Sequence, residues 1–351
     1  MTCFSYESII KIIHIFKSGE LIINKVQTAA YELLQSDARF FYTLIQIDKI
    51  SRNIDSNYIM MSQPYIAMFA DGAEQWCTKM KLDAPKFSKV EKIYYSKVRQ
   101  SNKLFELHYS EYLDLLLTTL HICDNYFYRI RSELEKQIGY YNVGTDLFCG
   151  EYCGNTILGA MYMPFDILNH KESGIWLRNL SVIAGRLAGY FRCTDFPSYK
   201  FDNVLRASYK DYHFFMNSPL KINNELGFVL FSVLCSINYV IVFLEKYITE
   251  EIPQKFKFAY IQYYYLCSFI KELNQENNLN FTLDNSLYNR NVRNCFSHYG
   301  LGVFLKESDV VRSDLLKGIT QKAFGEDYYS SKRILYSALN DLSMQIKEYI
   351  F

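Results

Sequence analysis

Glycine and proline are scarce in this chain. Its 351 residues hold 15 Gly and six Pro, too few for the dense turns of a many-stranded β architecture. An excess of charge of one sign is also lacking. With 38 Lys and Arg against 37 Asp and Glu, the formal net charge is +1, which excludes a global basic field and confines any nucleic-acid contact to local patches. Cysteine is present but unorganised. The nine residues are odd in number and irregularly spaced, and Cys149 and Cys153 have no second pair at zinc-ligand spacing, so no metal and no cofactor is expected. The opening Met1–Glu7 lacks the basic and then apolar run of a secretory signal. Together with free thiols, that leads to the expectation of a reducing, cytoplasmic location.

What the chain does have is apolar mass. Half of its residues are hydrophobic and 17% are aromatic, with 31 Tyr and 26 Phe. This composition favours packed helices and argues against long disordered stretches, so the expected fold class is all-α. The length suffices for two domains with a sizeable core.

Taken in order, apolar residues recur at helical spacing from Tyr6 to Ile54: Ile9, Ile12, Ile13 and Phe16, then Ala29, Leu33 and Leu34, then Phe41, Leu44 and Ile45. Gln63-Pro64, Asp71-Gly72 and Ala84-Pro85 read as breaks. Leu104–Leu134 reads as a helix pair, and Ile175–Phe191 as a helix ended by the Asp195-Phe196-Pro197 turn. Between them Gly144, Gly150 and Gly154 cluster with Cys149 and Cys153, where the composition shifts near residues 141–156.

The most basic window runs from Lys79 to Lys103, with eight basic residues against Asp83 and Glu91. Lys89, Lys92, Lys97, Arg99 and Lys103, interleaved with Tyr94 and Tyr95, could track a phosphate backbone and stack unpaired bases. The competing reading is a solvated helix face.

Ser218-Pro219-Leu220 marks the clearest boundary and divides a helical recognition or regulatory region, 1–220, from a helical domain, 221–351. The second part opens with Leu226–Leu244, 19 residues without a charge, near the length of a membrane span. Its acidic flanks favour a buried central helix and no membrane. Helices are then expected over Gln254–Leu273, Ser286–Tyr299 and Tyr328–Phe351, a four-helix bundle.

The helix expected at Ser286–Tyr299 carries Arg293-Asn294-Cys295-Phe296-Ser297-His298. Leu283-Asp284-Asn285 offers capping side chains, and Gly300 and Gly302 are residue types that end helices. Asn294 and His298 share a face, and Arg293 points about 140° away from His298. The negative end of the helix dipole should raise the imidazole's pKa, and Asn294 one turn below could fix its tautomer. Arg293 brings a planar fork for phosphate oxygens, with Arg290 and Arg312 nearby in sequence. These groups suit RNA transesterification, in which the ribose 2′-hydroxyl attacks the adjacent phosphate while His298 moves a proton and Arg293 stabilises charge on the phosphoryl oxygens.

The run Arg293–His298 resembles the Arg, polar residue, variable residues, His motif of HEPN-superfamily endoribonucleases, and Asn223–Phe351 resembles their helical layout. The resemblance implies an all-helical fold and a metal-independent endoribonuclease in a toxin or antiphage defence role. It also implies an RNA substrate and the catalytic residues Arg293, Asn294 and His298; beside them the local charge of Arg290 could contact RNA, and Tyr299, next to His298, could stack a base or simply pack, packing being the plainer reading. In that family two motif copies face each other. No second Arg stands at this spacing before His14, His108, His121, His170 or His213, and Arg206, seven before His213, is followed by Ala207, so a homodimer is implied. Restraint by an antitoxin protein or a regulatory RNA is the further partnership it implies. Against this stand a non-catalytic helical module binding RNA, a nucleotide or a partner protein, and a membrane-associated protein. Cys295 as nucleophile lacks an orienting partner, and a buried thiol is the plainer reading.

Overall fold

The structure, a computed structural model, describes residues 24–50, 56–127, 133–138, 140–163, 170–191, 207–215, 218–311, 314 and 316–351. The helix read around Ile9–Phe16, the Asp195-Phe196-Pro197 turn, and His14, Arg206 and Arg312 lie outside the described residues.

The chain is mainly helical. Its first part contains α1 (Lys25–Ile50), α2 (Ser56–Lys79), α3 (Lys89–Gln100), a 3-10 segment (Ser101–Glu106), α4 (Tyr109–Phe127) and α5 (Glu133–Gln137). Next come β1 (Tyr141–Phe148), β2 (Glu151–Asn155), α6 (Thr156–Tyr162), α7 (His170–Tyr190) and β3 (Ala207–Phe214). The remainder is α8 (Glu225–Asn238, continued by a π turn over Tyr239–Leu244 and a last turn, Glu245–Tyr247), α9 (Pro253–Asn277), α10 (Arg290–His298), α11 (Lys317–Phe324) and α12 (Tyr328–Ile350).

The three strands correct the all-α expectation. They form one antiparallel sheet in the order β2-β1-β3, with Tyr141 opposite Phe214 and Phe148 opposite Ala207. The β1–β2 turn needs positive φ at both central residues, and Cys149 (53°) and Gly150 (82°) supply it, as a tight hairpin of right-handed strands demands. The glycine and cysteine cluster near 141–156 is thus a hairpin. β1 shows no alternation because Val143 through Phe148 are all buried, which removes the period-two signal. The sheet rests on α8 through aromatic pairs: Phe214 with Phe228 (5.1 Å), Tyr152 with Phe231 (5.4 Å) and Phe148 with Phe243 (5.4 Å).

Two expected breaks fall inside α2. Pro64 and Gly72 both sit within the helix, because packing on both sides of it outweighs the local preference. Tyr65 through Ala70 are buried without interruption. Gly72 is small for a contact: a Cβ there would stand 2.7 Å from the Tyr299 ring, so α2 and the end of α10 touch backbone to ring.

α8 is the apolar run. It is the one described helix long and apolar enough to cross a membrane, and 83% of that stretch is buried inside the protein. Asn224 caps it by accepting the Gly227 N–H at 3.0 Å, so the polar residues after Pro219 do start the helix. The apolar core continues unbroken across residue 220, with Tyr65 of α2 stacked 4.3 Å from Phe258 of α9.

At the centre of that core lies a polar cluster. Asp37 of α1 and Lys257 of α9, both 0% exposed, form an ion pair, and the Tyr299 hydroxyl donates to the same carboxylate oxygen, Oδ2. Lys257 Nζ donates to Tyr299 Oη at 3.0 Å and stands 4.4 Å from the ring centroid, and Gln254 Nε2 donates to Asp37 Oδ1 at 2.9 Å. Burial pushes the Lys257 ammonium below its ordinary range and the Tyr299 phenol well above its own. Removing one partner would strand a buried charge. Asp37→Ala is therefore expected to cost about 3–5 kcal/mol in urea unfolding, with much of it recovered when Asp37→Leu is combined with Lys257→Met. An unfolding midpoint equal to that of the parent chain would remove the pair from its structural role.

Candidate active site

α10 is shorter than the spacing predicts, Arg290–His298 in place of Ser286–Tyr299. Asn289 is the N-cap, its Oδ1 accepting the Asn291 N–H at 2.9 Å and the Val292 N–H at 3.3 Å. Asp284 and Asn285 instead build the preceding turns: Asp284 Oδ1 accepts the Ser286 N–H at 2.9 Å. The other end also differs. Tyr299, and not a glycine, takes the left-handed capping conformation, with φ 52°, and donates its N–H to the Cys295 carbonyl at 3.0 Å. A bulky residue there is strained by about 1–2 kcal/mol. The hydrogen bonds of Tyr299 to Asp37 and Lys257 hold it.

Val292, Cys295, Phe296 and Tyr299 recur at three- and four-residue spacing and are buried, Phe296 meeting Tyr260 at 5.6 Å and Phe256 at 6.0 Å. This stripe turns Arg293, Asn294 and His298 to the flanks, where all three are half-buried. Burial pushes the Cys295 thiol up to about 12, which leaves no thiolate for attack at neutral pH.

Arg99 meets His298 from the far side of the chain. Its Nη2 lies 3.3 Å from Nδ1 and 3.4 Å from Nε2 of the imidazole. An in-plane approach equidistant from both nitrogens would drive the guanidinium into the carbon between them, so Arg99 sits over the ring face. The same guanidinium pairs through Nη1 with Asp71 of α2, whose Oδ2 also accepts from Gln75 Nε2 at 2.8 Å. Arg293 packs against tyrosine rings of α9. Its Nη1 donates to Asn294 Oδ1 at 2.9 Å, and its guanidinium carbon stands 5.3 Å from the Tyr264 ring and 5.8 Å from the Tyr265 ring. The Arg293 Nε is buried with no hydrogen-bond partner.

These positions correct two expectations. Asn294 is engaged by Arg293 and makes no hydrogen bond to the imidazole among the described residues. The His298 pKa is lowered, not raised: burial is the largest cause, followed by the charge of Arg99, with Asp71 opposing and Arg293 and Lys103 adding. The dipole favoured a proton on the ring, but desolvation and neighbouring cations favour the neutral form.

The basic window divides. Arg99 and Lys103 converge on His298, although Lys103 is also paired with Glu106 at 2.5 Å. Lys92 is exposed and pairs with Glu74 at 2.5 Å. Lys89 and Lys97 are exposed; Lys97 points about 160° away from Arg99 around α3, and Lys89 lies about 15 Å along the axis from it. Arg290 is exposed on the first turn of α10. Tyr94, Tyr95 and Tyr299 are buried, at 0%, 2% and 0% exposure, and cannot stack a base, because their rings fill the core. Sequence reasoning did not identify Asp71 as the anchor of Arg99 or Tyr264 and Tyr265 as the aromatic wall beside Arg293. Asp71-Gly72 resembled a turn. Among the described residues no three His, Cys, Asp or Glu side chains gather to hold a metal ion.

Arg99→Gln is expected to raise the His298 pKa, read from the imidazole proton shifts in an NMR titration; an unmoved or lower value would contradict the stacked geometry. The folded ring binds its proton less readily than the unfolded ring, so stability falls as pH drops through 6.5 towards the folded value, and should fall less in the variant.

Compared with known proteins, the chain matches no family model, no curated protein and no solved structure.

Proposed function

We propose that this chain is a metal-independent endoribonuclease of the HEPN type that cleaves RNA by transesterification. The observation that carries the reading is convergence. The Arg293–His298 motif of α10 and two cations of the basic window, Arg99 and Lys103, singled out separately in the sequence, meet at one half-buried imidazole on which the charge of Arg293 also acts. A neutral His298 is the form that accepts the proton of the ribose 2′-hydroxyl. As the 2′-oxygen bonds to phosphorus, the bond to the 5′-oxygen breaks, and that oxygen leaves with a proton from the second copy of the motif in a homodimer or from water. Arg293 and Arg99 stabilise the charge gathering on the phosphoryl oxygens. Asn294 orients Arg293. The C-terminal helices α8 to α12 stand for the HEPN-like bundle, with a cytoplasmic defence role under an antitoxin or regulatory RNA.

A second reading is a helical module that binds RNA or a nucleotide without turnover. It draws on Arg99 lying over the His298 ring, which engages the group the chemistry needs. Incubation of the full chain with single-stranded RNA separates the two. The first predicts cleavage that persists in chelator, leaves 2′,3′-cyclic phosphate ends, and is lost by at least about 100-fold in His298→Ala, with the fold intact by circular dichroism. Undiminished cleavage by that variant would reject the assignment, and tight binding with no cleavage by the parent chain would favour the second reading.

A further inference from the structure

Next to Arg293 stands an aromatic pair that the proposed chemistry does not use. Tyr288, in the loop before α10, lies parallel to Tyr264 of α9, with ring centroids 4.5 Å apart and planes 5° from parallel. Tyr264 is 7% exposed and Tyr288 is 45% exposed, so one face of the Tyr288 ring is covered by Tyr264 and the other is open. The guanidinium carbon of Arg293 is 5.3 Å from the centroid of the Tyr264 ring.

The loop that presents Tyr288 is pinned on both sides. The Leu287 N–H donates to the Tyr263 hydroxyl at 3.2 Å, and the Asn289 N–H donates to the Tyr260 hydroxyl at 3.1 Å. The Tyr260 hydroxyl also stands 2.9 Å from the Leu287 carbonyl oxygen and 3.0 Å from that of Asn289, and the Tyr288 N–H donates to the Asn285 carbonyl at 2.9 Å. Two buried tyrosines of α9 thus hold the backbone on either side of an exposed one. An exposed ring on a rigid mount, backed by a second ring, loses little freedom when a flat ligand settles on it.

We propose that the open face of Tyr288 is the stacking platform for a base of single-stranded RNA, flanking the phosphate held by Arg293. This rests on the ribonuclease reading for the identity of the ligand, and it goes beyond that reading by assigning a base subsite to Tyr288 and its backing to Tyr264. Stacking on a bare ring reads no base edge, so the subsite favours unpaired RNA and tolerates any base. A duplex keeps its bases stacked on one another and is excluded.

The test uses the full chain and a single-stranded oligoribonucleotide with 2-aminopurine at one position and 2′-O-methyl sugars throughout, so that it cannot be cleaved. Binding is expected to quench the 2-aminopurine fluorescence. Tyr288→Ala should remove the quench and weaken binding by about 5- to 150-fold, the range for losing one stacked base, while Tyr288→Phe retains both. Arg293→Gln should weaken binding and flatten its salt dependence, with the quench of the bound oligonucleotide preserved. An oligonucleotide that does not bind, or that binds equally well to Tyr288→Ala, overturns the platform. The platform and the ribonuclease reading fail separately. A Tyr288-dependent quench with no cleavage of the unmodified RNA retains the platform and removes the nuclease; His298-dependent cleavage with an unchanged KM in Tyr288→Ala does the reverse.

Discussion

The arrangement depends on a carboxylate, an ammonium and a phenol brought together out of water. Asp37, Lys257 and Tyr299 come from α1, α9 and the end of α10, and each satisfies a polar group that would otherwise be stranded in an aromatic core. Because Tyr299 is also the left-handed cap of α10, the cluster fixes where that helix stops and which way its last side chains face. His298 is the residue before it. The strain of a tyrosine at positive φ is sustained by hydrogen bonds that exist only once three distant segments have packed together.

The electrostatics of the imidazole follow from the same packing. A histidine at the end of an exposed helix would gain a proton from the helix dipole, but here the ring is half-buried and lies under a guanidinium. Asp71 holds that guanidinium in position and partly offsets its charge. Arg293, five residues before His298, packs against Tyr264 and Tyr265, and its charge adds to that of Arg99 at the imidazole. The result is a neutral base in a cationic setting, suited to an anionic ligand that delivers a proton.

Much of the architecture was legible because it rests on local periodicity. The apolar stretch after Pro219, its Asn224 cap, the helix that follows and the last helix at Tyr328 all match their patterns. The sheet was not legible, since β1 is buried on both faces and lacks alternation, and its partner β3 is 59 to 73 residues away in the register from Phe148 with Ala207 to Tyr141 with Phe214. Pro64 and Gly72 resembled breaks because local propensity carries no knowledge of the neighbours that surround α2 on both sides.

At the site the division is similar. The sequence by itself determined that Arg293, Asn294 and His298 sit on one helix, with Asn294 and His298 on a shared face, since a spacing of four residues brings side chains to one side. It also marked Arg99 and Lys103 as cations within a basic window. Only the tertiary structure decided that Arg99, 199 residues from His298, lies against its ring, that Tyr94, Tyr95 and Tyr299 are core, and that the imidazole loses rather than gains proton affinity. The physical reason is that burial and charge proximity are properties of segments meeting in space, whereas periodicity is a property of one segment alone.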